Sequence, residues 1–122
     1  MLLSWAHQPA AEVCGPIRRR LRAALLQWSV PDDVAEDAVL VVTELVANVV
    51  DHARTPFRLT LRLTGSVLRV AVADGSGRPP AVQPVDLLAV RGRGLQVVDA
   101  IAQRWGWQEI EDGKVVWADL EV

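Results

Sequence analysis

Apolar residues along this chain recur first at helical spacing, then at strand spacing, then without a period, and these changes divide it into elements. Ile17, Leu21, Ala24, Leu25 and Trp28 stand three or four positions apart, which predicts a helix from Pro16 to about Trp28, with the proline in its first turn. Arg18, Arg19, Arg20 and Arg22 make its outer flank basic, as on a solvated face. Ser29-Val30-Pro31-Asp32-Asp33 reads as the start of a second helix, with Ser29 and Asp32 as competing caps and the acids suited to the positive end of the helix dipole. That helix should run to about Ala53. Its apolar set is Ala35, Ala38, Val42, Leu45, Val46, Val49 and Ala53, while Asp33, Asp37, Glu44, Asn48 and Asp51 fall on the opposite side and His52 at the boundary.

Thr55-Pro56 ends the helical pattern, and Phe57 to Thr64 then alternates strictly. Gly65-Ser66 is a two-residue hairpin signal, and Val67 to Ala73 returns with the same period. From Asp74 to Arg93 the chain carries most of its Gly and Pro and shows no period, which predicts a long loop of the kind that is either functional or mobile. Helical spacing resumes from Gly94 to Arg104. A final hairpin pairs about Trp105–Ile110 with Lys114–Val122 around Glu111-Asp112-Gly113. Leu2 to Trp5 adds a short apolar stretch that suits an edge strand. Helices gathered together beside antiparallel hairpins predict an α+β two-layer sandwich rather than a doubly wound sheet.

Composition narrows the class. With 122 residues, 51% hydrophobic and 23% charged, the expectation is one globular domain over residues 1–122. The formal charge of -2 supplies no broad basic field, so no direct nucleic-acid partner is expected. A lone cysteine, Cys14, and two histidines, His7 and His52, leave neither a disulfide nor a structural zinc site in view. The longest apolar segment, Ala38 to Val50, is interrupted by Thr43, Glu44 and Asn48 and falls short of the roughly 18 residues of a membrane span. The expected location is the cytoplasm, without a membrane partner.

Three clusters could carry chemistry. In Glu44 to Ala53, a carboxylate and a carboxamide lie one helical turn apart, and Asp51 and His52 follow a turn later. A carboxylate can accept a proton or position water, and an amide oxygen is a hard ligand suited to Mg²⁺. In Asp74-Gly75-Ser76-Gly77-Arg78-Pro79, an acid at a strand end precedes a flexible turn, where it could accept hydrogen bonds from an exocyclic amine. In Arg91-Gly92-Arg93-Gly94-Leu95, a glycine-rich turn opens a helix flanked by arginines, as an anion site would. Each has a plain structural alternative: a solvated helix face, an ordinary turn, and a loop-to-helix hinge. Their order is the stronger signal, because together they could enclose one nucleotide with metal, base and phosphates at different walls.

In that order, ELVANVVDHA resembles the N box of the histidine-kinase-like (GHKL) ATPases, DGSGRP stands in the place of their first glycine box, and GRGL in that of their second. The closing GKVVWADL resembles the small anti-sigma-factor serine/threonine kinases of bacteria. The resemblance extends from about Glu12 to the C-terminus. It implies the Bergerat fold, a mixed, mainly antiparallel sheet covered on one face by helices, and it implies ATP and Mg²⁺ as cofactors. By the same resemblance Asn48 would hold Mg²⁺ and Glu44 would be the catalytic base, taking a proton from a serine hydroxyl on a partner protein. Asp74 would recognise the adenine amine. Nucleotide contacts would also come from Ser76, Gly77, Gly92, Arg93, Gly94 and Leu95, with Gln83 to Val90 as a short lid. His52 would stabilise the helix end rather than perform chemistry. The implied partners are a STAS-type anti-anti-sigma factor and a sigma factor, and related kinases are often homodimers.

Two departures stand at the base end of the expected site. The family's D-x-G-x-G is here Asp74-x-Ser76-x-Arg78, and Val115 stands where a threonine often follows Gly-Lys. They keep a second reading open, that of a catalytically degenerate member acting through protein–protein binding alone.

Overall fold

Strict alternation in Phe57–Thr64 and Val67–Asp74 places one set of side chains under a helical layer and leaves the other set outward, and the rest of the sheet is built around that hairpin. The computed structural model describes residues 1–80 and 94–122. Its strands are β1 (Leu2–His7), β2 (Phe57–Thr64), β3 (Val67–Asp74), β4 (Arg104–Ile110) and β5 (Gly113–Glu121), and its helices are α1 (Cys14–Gln27), α2 (Asp32–Asn48) and α3 (Gly94–Ile101). The sheet order is β1-β2-β3-β5-β4, and each of these neighbouring pairs is antiparallel. The molecule is an α+β two-layer structure, as the patterning predicted. β1 lies on the edge, longer than the stretch to Trp5 that sequence suggested.

The inward set is apolar on every central strand: Phe57, Leu59 and Leu61 on β2, Leu68, Val70 and Val72 on β3, and Val116, Ala118 and Leu120 on β5. These side chains meet Ile17, Leu21 and Leu25 of α1 and Val42, Leu45 and Val46 of α2 in one core. Removing a side chain of this size from water is worth roughly 1.5–3 kcal/mol, so the core outweighs any single surface contact. α2 packs against α1, α3, β3 and β5. Its buried arc is therefore wider than periodicity indicated, and Val39 and Val41 join it.

Helix boundaries depart from the sequence reading at three places. Neither Ser29 nor Asp32 caps α2 with its side chain, and Pro31 holds the N-cap position. Ser29 instead closes α1. It adopts φ 58°, its N–H donates to Leu26 O at 3.0 Å, and the N–H of Val30 donates to Leu25 O at 3.0 Å. That is the Schellman arrangement with serine in the left-handed position usually filled by glycine. At its other end, α2 gives way to a π-helical turn, Val49–Ala53, closed by the N–H of Arg54 donating to Val49 O at 2.7 Å, with Arg54 itself at φ 56°. α3 stops at Ile101 rather than Arg104, because the N–H of Gln103 already donates to Asp119 O across to β5 at 2.8 Å.

The outward face carries Arg58 and Arg62 on β2, Arg69 on β3, and Trp117 and Asp119 on β5. Arg69 lies over the Trp117 ring at 4.2 Å from its centroid, and the ring rests against Gly106, where an added Cβ would come within 3.0 Å of it. Trp5, Trp28 and Trp105 pack against the core instead.

Candidate functional site

Strand parity fixes the polar end of the core. Asp74 continues the inward series of β3, and Lys114 opens the inward series of β5 directly opposite it. Both are buried, at 6% and 4% exposure, in a layer that is otherwise apolar. They neutralise each other: the ammonium of Lys114 lies 2.9 Å from Asp74 Oδ2 and donates to Oδ1 at 3.1 Å. The N–H of Ser76 donates to the same Oδ1 at 2.8 Å and shapes the turn after β3. The turn is tied to the helix exit by Thr55, whose hydroxyl oxygen accepts the N–H of Gly75 at 2.7 Å.

Above this pair lies a cavity of about 540 Å³, within the range of small-molecule sites. The end of α2 and its π turn supply Asn48, Asp51, His52 and Arg54, the segment after β3 supplies Ser76, Arg78, Pro79 and Pro80, and β5 supplies Lys114. π turns inside helices concentrate at functional sites, and this one brings Asn48, Asp51 and His52 to a single wall. Arg54 and Arg78 bring positive charge to the cavity beside Asp51, while the charge of Lys114 is offset by Asp74. A polyanion such as a triphosphate suits walls of that sign.

The residues singled out by sequence are distributed unevenly around this space. Asn48 and Ser76 line it. Glu44 stands one turn before Asn48 on α2 and is half-buried. Asp74 lies behind Lys114, which occupies the wall in front of it. Gly77 is exposed, and a Cβ added there would meet nothing within 4 Å. Gly94 opens α3, and the side chain of Leu95 is buried in the core. Gly92, Arg93 and the expected lid Gln83 to Val90 lie outside the described residues. Sequence reasoning missed Lys114. The signal was present, because the β5 alternation that turns Val116, Ala118 and Leu120 inward turns the chain's single lysine inward too.

The family model of the histidine kinase-like ATPase domain matches residues 8–120. The chain belongs to that family. Membership carries nucleotide binding as the family's property, and the cavity lies at the end of α2. The uncharacterized protein SCO4941 of Streptomyces coelicolor is 35% identical over 80 residues, covering 62% of this chain and 76% of that protein. Among solved structures, the RsbU and RsbW domains of Rv1364c from Mycobacterium tuberculosis superpose with a TM-score of 0.76 at 16% identity. That match covers 99% of this chain and 32% of the other, so the chain spans about a third of its length. At such identity the likeness establishes a shared histidine kinase-like fold.

The cofactors of this ATPase family can be tested against the residues present. Among the described residues no cluster of three or more His, Cys, Asp or Glu could hold a metal ion. Mg²⁺ in nucleotide sites needs no such cage, because phosphates and water supply most of its oxygens and one or two protein groups complete the set. Asn48 fits that role. Asp74, the acid that the resemblance assigns to the adenine amine, is buried and paired with Lys114. Among the described residues, no helix is long and apolar enough to cross a membrane.

Proposed function

We propose that this protein binds a nucleoside triphosphate with Mg²⁺ and acts as an anti-sigma-type regulator, transferring the γ-phosphoryl group to a serine on a STAS-type partner and thereby controlling a sigma factor by partner switching. The observation that carries the reading is the cavity at the end of α2, where Asn48, Ser76 and a set of cationic side chains share one space. Asn48 would hold the metal, which supplies charge neutralisation at the phosphates. Glu44 would take the proton of the serine hydroxyl as its oxygen bonds to the γ-phosphorus and the bond to the bridging oxygen of the leaving diphosphate breaks. Arg54 and Arg78 would offset phosphate charge, and Gly77, Gly92, Arg93, Gly94 and Leu95 would contribute to nucleotide binding. The RsbW domain named in the structural neighbour supports a partner-switching role, and in this reading the protein would act as a homodimer.

Titration calorimetry with and without Mg²⁺, on wild type and on Asn48→Ala, tests the site. Saturable binding that weakens sharply in the variant is expected, and no saturation by any nucleoside triphosphate at millimolar concentration overturns it. For the transfer step, phosphorylation of a STAS partner should disappear in Glu44→Gln. Undiminished transfer removes Glu44 from its role.

A second reading is favoured by the buried Lys114–Asp74 pair, which occupies the expected base contact from within the protein. In that reading the fold sequesters its partner without nucleotide. Partner binding that is indifferent to nucleoside triphosphates distinguishes it.

A further inference from the structure

The sheet face turned away from the helices carries charge that the described chain does not balance. Register sets four residues in one row across it: Arg62 on β2 stands directly opposite Arg69 on β3, Arg69 opposite Asp119 on β5, and Asp119 opposite Arg104 on β4. Asp119 holds both Arg69 and Arg104. Three guanidiniums thus share one carboxylate. Arg62 is exposed and makes no hydrogen bond or ion pair among the described residues. Like charges directly opposite each other on a sheet are destabilising, so the Arg62–Arg69 juxtaposition is a cost to the isolated fold. The same side chains, with Thr64 and Val67, border a cavity of about 270 Å³. None of them lines the cavity at the end of α2.

The surroundings of the row define what a counter-charge must arrive on. On the same face Ala71 and Ala73 of β3 lie opposite Trp117 and Val115 of β5, all half-buried, with Arg69 over the Trp117 ring. An apolar strip beside arginine and tryptophan has the make-up of a protein–protein contact, in which Arg and Trp are enriched. A phosphate backbone fits it less well. Nucleic-acid binding draws on a broad positive field, and the formal charge of this chain is -2.

We propose that the outer face of the sheet is a docking surface for a partner protein that presents carboxylates on an apolar patch, with Arg62 as the residue that receives one of them. A carboxylate seated between Arg62 and Arg69 turns a repulsion in the free protein into a charge-assisted contact in the complex. Arg62 therefore serves the partner and not the fold, whereas Arg69 serves both through Asp119.

The probe is a short capped peptide of alternating Glu and Leu, compared with its Ser–Leu and Lys–Leu counterparts and with an oligothymidylate of equal length. Binding to the full chain is followed by NMR titration of isotope-labelled wild type and Arg62→Thr, with a thermal melt of each free protein. The Glu–Leu peptide should shift the Trp117 indole N–H and the amides around Arg62 and Arg69, and leave those of Asn48 and Asp51 unmoved. Its affinity should fall about fivefold in Arg62→Thr and weaken as salt is raised. The free variant should melt no lower than wild type, because a like-charge pair has been relieved. A lower melt assigns Arg62 to the fold and overturns its role. Equal binding of the Ser–Leu or Lys–Leu peptide removes the carboxylate from recognition, and tighter binding of the oligothymidylate makes the occupant a nucleic acid. Self-association of wild type in sedimentation that is lost in Arg62→Thr makes it a second copy of this chain. Each of these outcomes overturns the proposal, as does the absence of saturable shifts at millimolar Glu–Leu peptide.

Discussion

Arg69 and Asp119 occupy directly opposed positions on β3 and β5, and the guanidinium grips the carboxylate through two bonds, Nε to Oδ1 at 2.6 Å and the second nitrogen to Oδ2 at 2.9 Å. Arg104 from β4 adds a third at 3.0 Å. The carboxylate is 1% exposed while Arg69 and Arg104 are 42% and 69% exposed, so the desolvation cost falls on the acid.

The first prediction follows from that asymmetry. Removing Arg69 leaves a buried charge with one partner and also removes the cation from the Trp117 ring, so Arg69→Ala should destabilise by about 3 kcal/mol. Asp119→Asn keeps the shape and leaves two arginines that can turn to water, and it should cost about 2 kcal/mol. Urea denaturation at neutral pH measures the order, and equal losses would contradict it. The hydrogen bond from Arg69 is the main influence holding the Asp119 carboxyl below its ordinary value of 3.8. A depressed carboxyl contributes stability that is full above pH 3.8 and is lost as pH falls through the lower folded value. Asp119→Asn should flatten that acid limb.

His7 gives a second pH dependence of different origin. Its ring faces Phe57 across the β1–β2 pair with centroids 5.5 Å apart, and its buried Nε2 has no hydrogen-bond partner among the described residues. Burial, with a smaller contribution from the positive charge of Arg20, pushes the imidazole below its ordinary value of 6.5. The unfolded chain therefore binds a proton more readily than the folded one just below that pH. Stability is full above pH 6.5 and falls as the solution is acidified toward the lower folded value. His7→Phe should lose this slope, with melting curves between about pH 7 and pH 5 as the measurement. An unchanged slope would place the titration elsewhere.

Alternation and helical spacing made the layers legible, because the inward sets of β2, β3 and β5 are uniformly apolar until Asp74 and Lys114. What they could not reveal was pairing across strands. Asp74 was readable as an acid at a strand end and Lys114 as part of a closing strand, but their contact depends on β3 and β5 being neighbours in the order β1-β2-β3-β5-β4. The helix-end residues were readable as a polar face. That Asn48, Asp51 and His52 reach one wall depends on a π turn whose hydrogen bond is a backbone property with no side-chain period. Ser29 was misread for a similar reason, since a cap residue and a left-handed closing residue are both small and polar.

Ser29 carries a third prediction. A side chain at φ 58° is held in a conformation that L-residues disfavour by roughly 1 kcal/mol or more, while glycine adopts it freely. The serine makes no side-chain cap to offset this. Ser29→Gly should therefore stabilise the protein by about 0.5–1 kcal/mol, less than the full relief because the unfolded chain gains freedom as well. The check is a higher urea midpoint at unchanged slope. A lower midpoint would mean that the serine hydroxyl matters to the turn.

The last prediction separates two glycines of the site. A Cβ on Gly113 would overlap the carbonyl oxygen of Asp74, which is backbone and cannot turn aside. Gly113→Ala must push β5 away from β3 at the register position where Asp74 faces Lys114, and overpacking of this kind costs about 1–3 kcal/mol. The displacement also moves the lysine that fronts the cavity, so nucleotide affinity should fall in step with stability. Gly77 is the contrasting case, since its Cβ would meet nothing within 4 Å and its backbone is not left-handed. Gly77→Ala should leave stability within about 0.5 kcal/mol of wild type. Parallel thermal melts and nucleotide titrations of the two variants distinguish their roles. Loss of binding in Gly113→Ala with an unchanged melt would show that the strand had not moved, and would break the link drawn between the turn and the pocket.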